Sequence, residues 1–299
     1  MSVDRQSVPT PQTPTWWSAV ERVPLRLSWP EIDGVRTRVI EAGSEENPPL
    51  VLIHGTGGHA EAFIFNLGWL AQRHHVIGYD LPAHGWSAAP ERSYEIGGYV
   101  QHLGALLDAF GIDEATVFGQ SLGGWVAVRF VAEHGDRVER LVLVGPGGTL
   151  IDPVVMARIR ENSMDAVRAP SERSVRHRTE MIMGHPSHVT DELVQCRLRI
   201  YSQEGAIARM QRVLCLQDPE IRARNLIRDE DLRAIVHPTL IVGGELDSVV
   251  PIAGLERWAA VMPNAELAVM SGCGHWPQFE RPEEFNDLVT VFLGIGGAA

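Results

Sequence analysis

Nine consecutive residues constrain this chain more than any others: Val117-Phe118-Gly119-Gln120-Ser121-Leu122-Gly123-Gly124-Trp125. They join the end of an apolar run to a glycine-framed turn carrying one serine, and then to the start of an amphipathic stretch. A strand that turns straight into a helix leaves its turn residue no relaxed backbone conformation, and only glycine fits beside it. The serine hydroxyl is pushed out of the sheet, where the free N–H groups and positive dipole end of the following helix also point. A Gly-x-Ser-x-Gly pattern also arises in ordinary turns. Its meaning depends on whether strands, helices, an acid, a histidine and a second glycine loop surround it in the right order.

The rest of the chain supplies that order. Residues 1–20 are polar and proline-bearing and are expected to form a flexible arm. Residues 25–29 and 35–41 look like antiparallel strands joined through an Asp33-Gly34 turn. Residues 50–53 form a short, continuous apolar run, the pattern of a parallel strand buried on both faces. The sequence predicts further strands at 76–79, 115–118, 138–144, 239–242 and 265–270, with helices at 60–72, 96–110, 122–134, 253–261 and 282–293. Between 150 and 233 strand signals vanish, and the segment is rich in Arg, Glu, Met and His at helical spacing. The expected architecture is α/β: a mostly parallel sheet flanked by helices, with a helical cap of residues 150–233 inserted after the sixth strand. Residues 21–149 and 234–299 would form the core domain.

In a parallel sheet of this kind, functional groups gather at the carboxyl ends of the strands. Ser121 follows one strand end, Asp247 a later one and His275 the last. That order matches the nucleophile-elbow arrangement, in which the histidine takes the serine proton and the acid fixes the imidazole tautomer. Glu245, from the same loop, competes with Asp247 for the acid role. An oxyanion would be held by the backbone N–H groups of Leu122 and, from His54-Gly55-Thr56-Gly57, of Thr56. His54 is expected to brace this loop, residues 80–87 to form a structural turn, and Cys273 to be a small buried residue. The glycine runs at 55–58 and 145–148 lack the partners that nucleotide binding requires.

Bulk properties narrow the partners. With 299 residues and a net charge of −12, the chain has length for a large core and repels nucleic acid and anionic membranes. Three cysteines, Cys196, Cys215 and Cys273, show no zinc or disulfide spacing. No signal-like N-terminus or membrane-length apolar run is present, so the expectation is a soluble cytoplasmic protein without metal or cofactor. An exposed cap and sheet edge leave room for a homodimer.

Taken together, the pattern resembles the α/β-hydrolase superfamily. Within it the chain is most similar to the meta-cleavage product hydrolases, which break carbon–carbon bonds of ring-opened aromatic degradation products. The likeness rests on Cys273-Gly274-His275-Trp276-Pro277-Gln278-Phe279-Glu280, on Glu284-Phe285-Asn286, on the Asp247-to-His275 spacing, and on Asp191-Glu192-Leu193-Val194-Gln195-Cys196-Arg197 in the cap. The resemblance implies Arg197 and Trp276 as substrate-side residues; Gly57 in the glycine loop and Gln120 beside the serine are further substrate-binding candidates. It also implies a dienol carboxylate as substrate, for which an acidic protein needs a fixed cation such as a planar guanidinium. Two features depart from the family: Gln120 stands where it usually has Asn, and the oxyanion loop reads His-Gly-Thr-Gly-Gly-His. A carboxylesterase or lactonase would need the same triad without the cap arginine, and a non-catalytic ligand-binding protein could share the scaffold. The acyl side of the substrate would meet cap residues such as Met156, Met164, Met181 and Met210.

Overall fold

The computed structural model describes residues 15–91, 94–149 and 152–294. Eight strands form one sheet: β1 (Leu25–Ser28), β2 (Val39–Ala42), β3 (Pro49–Ile53), β4 (His75–Tyr79), β5 (Ala115–Gln120), β6 (Val138–Val144), β7 (Thr239–Gly244) and β8 (Ala265–Met270). Their spatial order is β1-β2-β4-β3-β5-β6-β7-β8. β2 runs antiparallel to both β1 and β4, and every other pairing is parallel. The antiparallel segment therefore extends one edge, as its turn residues indicated.

Strand periodicity builds the two cores. Val51, Ile53, Val117, Leu141 and Leu143 face one side of the sheet, while Leu50, Leu52, Phe118, Val142 and Val144 face the other. Because successive side chains point to opposite faces, a continuous apolar run is what a sheet covered on both sides requires. Helices α3 (Ile96–Ala109), α4 (Leu122–Glu133) and α11 (Ile252–Val261) contribute Leu103, Val126 and Trp258 to the first core. Helices α2 (Ile64–Leu70) and α13 (Pro282–Leu293) contribute Leu67 and Phe285 to the second.

Two local expectations change. The single strand expected at 35–41 is broken. Val35–Arg36 pairs with Glu31–Ile32 across the Asp33-Gly34 turn, and the chain joins the main sheet only from Val39. Both turn residues have positive φ, 50° and 67°, which suits a tight hairpin. The break falls where Thr37 N–H bonds Pro30 O and the Arg38 side chain turns inward to Glu61 and Asp80. The arm expected over 1–20 also ends sooner, because Trp16–Val20 is a short helix, α1, capped by Thr15. Residues 1–14 lie outside the described part.

Between β6 and β7 the described chain is helical: α5 (Pro153–Arg168), α6 (Glu172–Glu180), α7 (Asp191–Tyr201), α8 (Ala206–Val213), α9 (Pro219–Asn225) and α10 (Asp229–Ala234). The insertion after the sixth sheet strand is thus as the sequence indicated. α10 packs against α4 and α11. Among the described residues no helix is long and apolar enough to cross a membrane.

Candidate active site

Ser121 sits at the junction of β5 and α4 with φ 53° and ψ −112°, a conformation costing a side-chain-bearing residue about 1–3 kcal/mol. Surrounding hydrogen bonds hold it there. Its N–H donates to Val144 O at 2.9 Å, and its carbonyl accepts from Trp125 N at 3.0 Å and Gly147 N at 2.8 Å. The flanking glycines are steric necessities: a Cβ on Gly119 would lie 2.6 Å from Gly124 Cα, and one on Gly123 would lie 2.6 Å from the carbonyl carbon of Ile53.

Asp247 and His275 arrive on the loops after β7 and β8. Asp247 Oδ2 lies 2.7 Å from His275 Nδ1, and its other oxygen accepts from Val249 N at 2.7 Å and Val250 N at 3.0 Å. The carboxylate is thereby fixed, and Nδ1 carries the proton that leaves Nε2 free to accept one. Ser121 and His275 line the same cavity, together with Gly55, Thr56, Gln120 and Leu122. Glu245, the competing acid, is engaged elsewhere: it accepts from Ser271 Oγ at 2.6 Å and Gly272 N at 3.0 Å.

The glycine loop after β3 is braced as expected. His54 Nδ1–H donates to Gly55 O at 2.8 Å, while Nε2 accepts from Leu81 N at 3.0 Å. Burial, with His84 adding to it, pushes the pKa of His54 far below its ordinary value, so the ring is a neutral brace. The amides of Leu122 and Thr56 have no acceptor among the described residues, which leaves two donors at the cavity wall. The 80–87 turn is structural. Asp80 accepts from Ala60 N at 2.8 Å and Trp86 N at 2.9 Å, and Ser87 Oγ donates to Asp80 O. Cys273 is fully buried, and burial first of all pushes its thiol up to about 12.

The substrate-side candidates divide. Trp276 and Gln120 line the cavity, and Gln120 also donates to His275 O at 3.3 Å, tying the serine strand to the histidine loop. Gly57 is not on that wall; its carbonyl accepts from Tyr201 OH at 3.1 Å. Arg197 is also off the wall. Its guanidinium lies 4.8 Å from the ring centroid of Trp276, fully buried, and none of its three nitrogens has a hydrogen-bond partner. Burial lowers its pKa to about 10, so it stays charged at neutral pH.

Three further residues, to which the sequence assigned no role, belong to the site or its loops. Arg178 on α6 lines the cavity, with Nε 3.1 Å from Ser163 Oγ and Nη2 3.4 Å from Thr56 O. Arg222 on α9 lines it too. Glu280, buried five residues beyond His275, accepts from Trp276 N at 3.1 Å, Gly274 N at 3.0 Å, Gly184 N at 2.7 Å and His188 Nδ1 at 2.9 Å. Its spacing after His275-Trp276-Pro277, where a proline opens a helical turn, was the available signal.

Away from the cavity, His59, Glu61 and Cys196 bring ligand-type atoms within 4.8 Å of one another. Glu61 already bonds the Arg38 guanidinium with both oxygens and accepts from His59 Nδ1 at 2.9 Å. This is the chemistry of an ion-pair network, because a guanidinium on the carboxylate disfavours a second cation there.

Known proteins match this geometry and sequence. The profile of the alpha/beta hydrolase family covers residues 50–288. A 2-hydroxymuconate semialdehyde hydrolase of Pseudomonas putida is 30% identical over 272 residues, covering 89% of this chain and 93% of its own. A 2-hydroxy-6-oxo-2,4-heptadienoate hydrolase of Pseudomonas putida is 30% identical over 273 residues, covering 87% and 93%. Among solved structures, a meta-cleavage product hydrolase from Pseudomonas fluorescens IP01 superposes with a TM-score of 0.78 at 29% identity, covering 91% of this chain and 98% of that one. An elbow serine, an Asp–His pair on the last two strand loops and a helical insertion after the sixth strand, together with these relatives, place the chain in the α/β-hydrolase family, closely related to the meta-cleavage product hydrolases.

Proposed function

We propose that this enzyme hydrolyses a carbon–carbon bond of a meta-ring-cleavage product, a 2-hydroxy-6-oxo-hexa-2,4-dienoate. The observation that carries this reading beyond a generic serine hydrolase is Arg197, a buried cation with three unpartnered nitrogens that stands directly behind the cavity wall, on the indole of the wall residue Trp276. An uncompensated buried charge costs about 3–5 kcal/mol, and a substrate carboxylate relieves that cost while orienting the molecule. Esters without an acid group offer it no partner.

The mechanism has two halves. The dienol ketonises with its carboxylate held at Arg197. Ser121 Oγ then attacks the remote ketone as His275 Nε2 accepts the serine proton, and the amides of Leu122 and Thr56 hold the resulting oxyanion. The carbon–carbon bond breaks with its electron pair on the dienolate, which takes a proton from His275. The same imidazole activates water to release the acyl group from Ser121. Asp247 holds the ring and stabilises the imidazolium throughout.

The test compares a yellow dienol acid, followed by loss of its visible absorbance, with a simple aryl ester. Ser121→Ala should lower both activities by at least about 10⁴-fold while the fold is retained. Arg197→Ala should lower the ratio of dienol-acid to ester turnover by roughly 10- to 100-fold. An unchanged ratio removes Arg197 from substrate binding, and activity on esters alone makes the protein a carboxylesterase. Tight ligand binding without turnover, unaffected by Ser121→Ala, makes it a binding protein.

A further inference from the structure

The cavity holding Ser121 and His275 has two arginines, Arg178 and Arg222, in its wall and no aspartate or glutamate among its described lining residues. Arg178 belongs with Arg197, since each stands by Tyr201 and the charge of Arg178 acts on Arg197. Arg222 stands apart. Its guanidinium lies 4.8 Å from the ring centroid of Trp125, which lines the same cavity together with Leu216, Gln217, Gly147 and Val250. It is 6% exposed. Its only acceptors among the described residues are neutral carbonyls, Thr149 O at 2.8 Å and Leu216 O at 3.4 Å, and Nε has none.

We infer that Arg222 receives a second carboxylate, carried on the acyl side of the substrate, so that the enzyme prefers a dianionic ring-cleavage product. This inference rests on the carbon–carbon reading above. An alkyl or aryl acyl group would be served by leucine or methionine at position 222. A buried guanidinium with only carbonyl partners is instead suited to an anion that brings its own charge. The net charge of −12 sharpens the point, because a dianion is repelled at long range and needs a cation at each end once inside. Chemically, Ser121 Oγ bonds to the ketone carbon and the carbon–carbon bond electrons leave with the dienolate. The acyl-enzyme then carries a free carboxylate at Arg222, and water releases it as a dicarboxylic acid.

Three dienol acids, with methyl, phenyl and carboxyethyl acyl groups, decide the matter by kcat/KM. The wild-type enzyme should favour the carboxyethyl compound over the methyl one by about tenfold or more, the worth of a charge-assisted hydrogen bond. Arg222→Met should lower that ratio by roughly 10- to 100-fold, mainly through KM, and Arg222→Lys should retain part of it. A purely structural Arg222, clamping α9 to Thr149, would depress all three substrates alike and leave the ratio unchanged; that result overturns the inference. So does a wild-type ratio of one or less, which needs no variant to fold. Turnover of all three without preference defeats only this inference, whereas turnover of none defeats the carbon–carbon reading and this inference with it.

Discussion

Asp247 and Glu245 leave β7 two residues apart, and their partners separate them. Asp247 spends one oxygen on His275 Nδ1 and the other on two loop amides. Glu245 spends one oxygen on Ser271 and Gly272, on the exposed side of the same loop. A carboxylate orienting an imidazole cannot be replaced by an amide, which offers the wrong hydrogen-bonding pattern to Nδ1 and admits the wrong tautomer. Asp247→Asn should therefore lower kcat by about 10⁴-fold with the fold intact. Glu245→Gln, outside that relay, should change kcat by no more than roughly threefold, the scale of an ordinary surface substitution. Steady-state kinetics of the two variants side by side checks the assignment, and a comparable loss in both would make the acid role shared.

At the scale of elements, the loop from β8 to α12 (Pro277–Glu280) depends on one buried carboxylate. Glu280 gathers amides from its own loop and from the inserted helical segment at Gly184. The helical insertion is stitched to the loops of Asp247 and His275 nearby as well: His275 N–H donates to Ile182 O at 2.7 Å, and Ser248 Oγ to Met181 O at 2.8 Å. Glu280→Gln leaves one acceptor oxygen for three amides and turns an NH₂ group toward donors. The expected cost is about 2–3 kcal/mol in urea unfolding, with kcat falling because the His275 loop loses its anchor. Full activity at reduced stability would make Glu280 an anchor of the cap alone. These elements also mark where the sequence was legible. The placement of Ser121, Asp247 and His275 together at the strand ends was visible because strand ends and glycine turns fix their chain order, and the sheet was visible because runs such as Leu50-Val51-Leu52-Ile53 fit only a doubly covered strand. Arg178 and Arg222 were not. The cap has helical spacing and many arginines, and nothing local tells which of them a tertiary packing will turn inward. The broken strand at Thr37-Arg38 was hidden for the same reason, since the Arg38 side chain leaves the edge for partners 23 and 42 residues away.

For the molecule as a whole, buried histidines set opposing limits on stability against pH. His59 lies fully buried where the core meets α7, near the α1 residue Trp16. Burial works against charging its ring, but Cys196 and Glu61 outweigh it and hold the pKa up at about 10. A histidine raised above its unfolded value of about 6.5 binds its proton more tightly in the native state. Its contribution is complete below about pH 6.5 and is lost progressively as the pH rises through about 10. His84 behaves in the opposite sense. Burial is the main cause of a pKa near 4, with Arg209 and Arg178 adding to it, so its contribution is present above about pH 6.5 and is lost as the pH falls toward 4. His54 is depressed by burial as well and adds to the same acid limb. Thermal unfolding from pH 5 to 10 should therefore give a Tm that is highest near pH 6.5–7 and declines on both sides. The two limbs have different owners. His59→Gln should flatten the alkaline limb while leaving the acid one, and His84→Gln should make the acid limb shallower, with His54 still contributing to it, while leaving the alkaline one. An alkaline limb unchanged in His59→Gln would mean that the ring is neutral in the native protein, and that the junction between core and α7 is held by Arg38 and its carboxylates alone.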